Sequence, residues 1–184
     1  MSFVGLTWFF YVIYHVLSLQ NFHKGQAVFN NFYIQMNQWS IYHIATILLV
    51  LLLLFHVITA ISRQLSNNIS KGQAYKKPYP YGIPRIVAWS NAILLLIFIV
   101  FHFVQMKILI NGNLYQQLSE LLIQPLMFGI YLLGIITLSA HLHHALTNVL
   151  QTLGISSKTY NVLVVLLVFL LFIGFISIPV SVML

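Results

Sequence analysis

The run from Leu138 to Ala145 carries three of the chain's eight histidines, His141, His143 and His144, at the end of a long apolar segment. His15, His56 and His102 each stand alone in a different apolar segment. An imidazole inside hydrocarbon is costly unless something there uses it, so each is a functional signal by default. What imidazole offers is a nitrogen lone pair for a metal and a proton that exchanges near neutral pH. Cysteine is absent and the single acid is Glu120. Thiolate chemistry, disulfides, cysteine-ligated iron–sulfur clusters and paired carboxylates are therefore excluded within this chain. No phosphate-binding loop or nucleophile triad is present.

The elements that must position these histidines follow from composition. Of 184 residues, 60% are hydrophobic and 5% charged, and mean hydropathy is +0.95. A soluble domain of this size carries far more charge, so the expected class is an all-α integral membrane protein. Eight basic residues against one acid give a net charge of +7. In a soluble protein that balance would point to nucleic acid; here the basic residues mark cytoplasmic loops. The first apolar run lacks a basic leader and a small-residue cleavage site and holds His15, so it reads as a span, not a removable signal.

Five segments are long enough to span a bilayer, at about 3–20, 40–62, 86–108, 122–147 and 160–183, in one domain over 1–184. The first four are expected to form the bundle around the histidines. The loop from Arg63 to Arg85, with Pro78, Pro80 and Pro84, is a turn-rich connector. Arg63, Lys71, Lys76, Lys77, Arg85 and Lys158 fall in the second and fourth loops, against Lys24 and Lys107 in or beside the first and third. The second and fourth loops and the N-terminus are thus expected on the cytoplasmic (or matrix) side.

Depth then follows from helix rise. His56 and His141 each lie about two turns from the inner end of their helix, ~10 Å at 1.5 Å per residue. His15 and His102 lie ~18–24 Å from that edge on the same rise. The four fall into two layers of two, with helices 2 and 4 forming the inner layer and helices 1 and 3 the outer. Paired imidazoles in an apolar bundle suit bis-histidine haem, whose porphyrin needs an apolar slot between helices. Zinc or non-haem iron would want more donors converging at one point. Taken singly, any of these histidines can also be a packed polar residue bonded to a neighbouring carbonyl. The matched layers favour two haems.

On these residues the chain resembles a known family. The run Gly5–His15 followed by Gly25–Asn30, the Phe55-His56 pair, the run Ile97–His102, and above all His141–Ala145 followed by Gln151-Thr152-Leu153-Gly154 carry the likeness. They resemble the cytochrome b membrane-anchor subunit of succinate:quinone oxidoreductases (succinate dehydrogenase or fumarate reductase, complex II), the single-polypeptide type with two haems b. The resemblance implies that His56 and His141 hold the haem nearer the soluble subunits and His15 and His102 the far one. It further implies partners: a flavoprotein with covalent FAD and an iron–sulfur subunit. Electrons would pass between these and a membrane quinone, in a bacterial inner membrane or, if organellar, the mitochondrial one.

Within the last cluster His141 has Ala145 four residues on, where the family's small residue sits, and is the expected ligand. His144 lies about 60° away on the same helix and is the substitute; His143 points elsewhere. The family often has an acid near the start of helix 2, where this chain has Ile44, Ala45 and Thr46. His43 is the nearest titratable group, and it is expected either to exchange protons with the quinone or to sit solvated among headgroups. Trp89 and Ala92 stand where the family tends to have arginine and glycine, so a haem propionate needs another donor; Arg85, Ser90, Asn91 and Ser2 are the choices. Trp8, Trp39, Trp89, Tyr75, Tyr79 and Tyr81 read as interface aromatics. Gly129 and Gly134 would allow close helix packing. His23 and Lys24 read as solvated, and Glu120 as exposed. Competing functions are a cytochrome b of another quinone-linked enzyme, such as a hydrogenase or formate dehydrogenase, and a haem-free histidine-lined channel or transporter.

Overall fold

A computed structural model describes residues 2–69, 85–109, 112–155 and 157–184. It is all-helical among these residues. In chain order they form α1 (Ser2–Leu19), a 3₁₀ turn (Gln20–Lys24), α2 (Gln26–Gln38), α3 (Ser40–Ile69) and α4 (Arg85–Val104). A π-helical turn (Gln105–Leu109), α5 (Leu114–Leu122), α6 (Pro125–Thr152) and α7 (Lys158–Met183) follow. Five stretches are long and apolar enough to cross a membrane: Phe3–Lys24, Ser40–Ser66, Trp89–Lys107, Pro125–Thr152 and Lys158–Met183. The protein is an integral membrane protein.

Helix ends carry the signals that place them. Asn113 accepts from the Gln116 amide to cap α5, and Ser157 accepts from the Tyr160 amide to cap α7. Pro125 opens α6 at a position whose missing N–H costs nothing. The α6 helix closes on Gly154 at φ 76, with Ile155 N–H donating to Leu150 O and Gly154 N–H to Gln151 O. This Schellman turn needs a left-handed residue, which explains the glycine after Gln151-Thr152-Leu153.

The spans agree with the expected ones to within a few residues; the fourth begins at Pro125 against an expected 122. The expected first and third loops contain α2 and α5. Both extra helices tuck aromatic and leucine side chains under themselves. Phe22, Phe29, Leu118, Leu122, Tyr131 and Ile178 form one buried cluster. A second cluster, Val12, Val16, Leu142, Val164, Val168 and Leu171, joins α1, α6 and α7. Glu120 is exposed on α5, accepting from Gln116 Nε2 at 2.9 Å. His23 is exposed but paired with Ser177 Oγ at 3.0 Å.

Helix α3 differs from the rest, because no residue of Ser40–Ser66 is buried. Ile44, Ile47, Leu48, Leu51, Leu54, Phe55 and Ile58 form its exposed lipid face. Tyr42, Thr46, Leu49, Leu53 and His56 form a half-buried face towards the bundle. Among the described residues its backbone packs against α1 and α2 and not closely on α4 or α6; α1 likewise packs against α3, α6 and α7 and not closely on α4. Close packing of α4 on α6 depends on Gly134, where an added Cβ would run into the Phe98 ring. Gly129 has open space instead.

Candidate functional site

Four histidines on four helices meet as two pairs. His15, near the end of α1, faces His102, near the end of α4, with ring centroids 6.0 Å apart and planes at 59°. His56 on α3 faces His141 on α6 at 6.4 Å and 80°. These are the pairs expected from helix rise. Each joins two helices whose backbones do not otherwise pack closely together.

The first pair is boxed in by aromatics. Tyr11 stacks on His15 at 5.6 Å, and Phe175 of α7 closes its other side at 5.8 Å. Phe98 stacks on His102 at 5.8 Å, and Tyr131 meets it edge-on at 5.7 Å. His102 Nδ1 lies 3.2 Å from the Tyr131 hydroxyl, which donates to Gln105 Oε1 at 2.8 Å. Gln105 is buried, at the start of the π-helical turn.

The second pair is barer. His56 Nδ1 is a buried nitrogen without a hydrogen-bond partner. His144 is half-buried and accepts from Asn148 Nδ2 at 3.0 Å, one turn further on; His143 is exposed. It is His141, not His144, whose ring meets His56.

The geometry suits metal ligation by two imidazoles. With a metal–nitrogen bond of about 2 Å and a ring centre about 1 Å further on, two trans imidazoles place their centroids ~6 Å apart. Separations of this size also occur between ordinary edge-to-face rings. What distinguishes these is their repetition on four helices, between backbones that do not pack closely on each other. Among the described residues no three His, Cys, Asp or Glu side chains converge, so each donor set is a bare imidazole pair. A haem would fit this donor set, with His15 and His102 or His56 and His141 as the residues that would hold it. The fit extends to α3, where no residue of Ser40–Ser66 is buried.

The other expected groups are placed as follows. His43 is exposed at the start of α3, and its Nε2–H donates to the Asn37 carbonyl at 2.8 Å. Ser90 donates to Val87 O and Asn91 to Thr137 O, so both spend their donors on backbone. The side chains of Ser2 and Arg85, and Lys71, Tyr75, Lys76, Lys77, Tyr79 and Tyr81, lie outside the described residues. Trp8 is half-buried, meets Tyr11 edge-on at 5.4 Å, and its buried Nε1–H has no partner.

A cavity of about 550 Å³ opens beside the first pair, lined among others by Asn30, Tyr33, Asn37, Met106 and Lys107. Lys107 Nζ donates to Tyr42 OH at 3.2 Å and lies 4.7 Å from the Tyr42 ring centre. Burial pushes the Tyr33 phenol up to about 12, against an opposing pull from the Ser18 hydroxyl. Tyr33 therefore remains a neutral proton donor across physiological pH. His43 touches this region through Asn37, which lines the cavity. Compared with known proteins, the chain matches no family model, no curated protein and no solved structure.

Proposed function

We propose that this chain is the dihaem cytochrome b anchor of a succinate:quinone oxidoreductase. His56 and His141 would hold one haem b, His15 and His102 the other. The observation that carries the reading is the pair of near-equal imidazole separations, 6.0 and 6.4 Å, each across helices that do not pack together. When bound, haem supplies one-electron chemistry within the membrane. The chain's own part is to hold, orient and enclose. Tyr11, Phe98 and Phe175 wall the first pair with rings, and the lipid face of α3 keeps water from the second.

The partners implied are a flavoprotein bearing FAD and an iron–sulfur subunit, docking at the basic end of the bundle on the cytoplasmic side of a bacterial inner membrane (or the matrix side of a mitochondrial one). The cavity at Lys107 and Tyr33 fits a quinone head in size, with polar donors at one edge. The deciding experiment is a reduced-minus-oxidised spectrum with pyridine haemochrome on the purified protein. The expected result is a sharp α band and two haems b per chain, with a flavoprotein co-purifying. A nickel or molybdenum subunit instead would assign the chain to another quinone-linked enzyme. No α band would leave a histidine-lined channel.

His43 is the group we assign to proton exchange at the cavity. Its exposure gives contact with water, and its bond to Asn37 gives contact with the lining. His43→Gln is expected to slow quinone turnover, because a glutamine amide can keep the bond to the Asn37 carbonyl but cannot exchange a proton. Unchanged turnover would return His43 to a solvated headgroup position.

A further inference from the structure

Every histidine of the two pairs has a second ring nitrogen, and the structure treats those nitrogens differently. His56 Nδ1 is buried without a partner, whereas His102 Nδ1 meets the Tyr131 hydroxyl at 3.2 Å. The direction of the second contact follows from the next one. Tyr131 donates its proton to Gln105 Oε1 at 2.8 Å, and Gln105 Nε2 is turned to Met127 Sδ at 3.9 Å. A phenol has one proton to give. With that proton on Gln105, the Tyr131 oxygen can only accept, so His102 Nδ1 carries the hydrogen. The tautomer is thereby fixed with Nε2 unprotonated, the form that a metal needs.

The placement of the chain of contacts is local and built in. Gln105 follows His102 by three residues and so shares its face of the helix. It begins the π-helical turn, a feature concentrated at functional sites. Both Gln105 and Tyr131 are buried, so water does not compete for either group. Phe98 holds the arrangement together, stacking on His102 and lying edge-on to Tyr131 at 5.6 Å.

We infer that Tyr131 and Gln105 act in series as positioning residues for His102, fixing its tautomer and raising the electron-donating strength of its Nε2 towards the iron it would ligate. The inference rests on the dihaem reading above. A hydrogen bond accepted from the back of a ligating imidazole raises the basicity of the ligand. A stronger donor favours the oxidised iron, so the contact lowers the reduction potential at this pair. The second pair lacks such a contact at His56.

The test is redox titration and low-temperature EPR of the intact complex in detergent, on Tyr131→Phe, Gln105→Leu and the double variant. Tyr131→Phe is expected to shift one of the two haem b midpoint potentials upward, move the low-spin EPR signal of that haem, and leave the other haem unchanged. Gln105→Leu should move the same haem in the same direction by less. The double variant should match Tyr131→Phe alone, because a relay in series is cut once. Additive shifts in the double variant, movement of both haems, or two unmoved potentials would each overturn the relay. Wild-type protein without haem b would instead overturn the dihaem reading itself, so the two failures are distinguishable. Gln105→Leu keeps the test available where Tyr131→Phe fails to assemble.

Discussion

His56→Leu is expected to reduce the haem content of the purified protein from two haems b per chain to one. The choice of residue makes the result interpretable. Ser40–Ser66 of α3 contributes no buried residue, and the packed clusters lie on α1, the 3₁₀ turn, α2, α5, α6 and α7 instead. Leucine also removes a buried nitrogen that has no partner, a change that is neutral or stabilising for the polypeptide itself. Thermal unfolding without haem should therefore be little altered, while ligation at His141 loses its opposite member. Pyridine haemochrome reads the stoichiometry directly. His143→Ala, at an exposed position, serves as the control and should retain both haems. His144→Ala should also retain both, because His141 is the ring that meets His56. Loss of a haem in His144→Ala with retention in His141→Leu would exchange those two assignments. Two haems in His56→Leu would remove His56 from ligation.

The pairing was readable from the chain because it depends on quantities that a sequence contains: helix rise, the ends of apolar runs and the positions of basic residues. Errors of a few residues in helix ends did not matter, since each pair needs only equal depth. α2 and α5 were not readable in the same way. Asn30, Asn31, Asn37 and the several glutamines of residues 26–38 read as loop, and the helix exists because Phe29 finds Phe22 and Tyr115 to pack against, with Tyr33 edge-on to Phe29. That is a tertiary cause, invisible to local propensity. α5 read as part of the third loop, since Gln116, Gln117, Ser119 and Glu120 are polar; Leu118 and Leu122 make it a helix by packing into the cluster of Phe22, Phe29 and Tyr131. Tyr131 was one aromatic among many in an apolar helix. Its role emerges only when α4 and α6 come together at Gly134 and bring Gln105 and His102 to the same hydroxyl.

His15→Leu is expected to abolish quinone turnover while leaving the second pair's haem in place and reducible. The argument is one of position. The cavity beside Lys107 begins about one turn past His102, at Met106, so the first pair lies between it and the second pair. The two layers are separated by roughly 10 Å along the helices on 1.5 Å per residue. Without the first pair, electrons from the iron–sulfur side would reach His56 and His141 and stop there. Leucine fills much of the imidazole volume, so the contacts of this position with Tyr11 and Phe175 are largely kept. The buried cluster of Val12, Val16, Leu142 and their neighbours on α1, α6 and α7 is untouched. The expected record is one remaining haem b that succinate still reduces, beside quinone reduction at background level. Retained quinone turnover with one haem lost would place the quinone near the second pair, at the opposite end of the bundle from the Lys107 cavity. The electron path would then end at His56 and His141, and the first pair, with its Tyr131 and Gln105 contacts, would stand outside it.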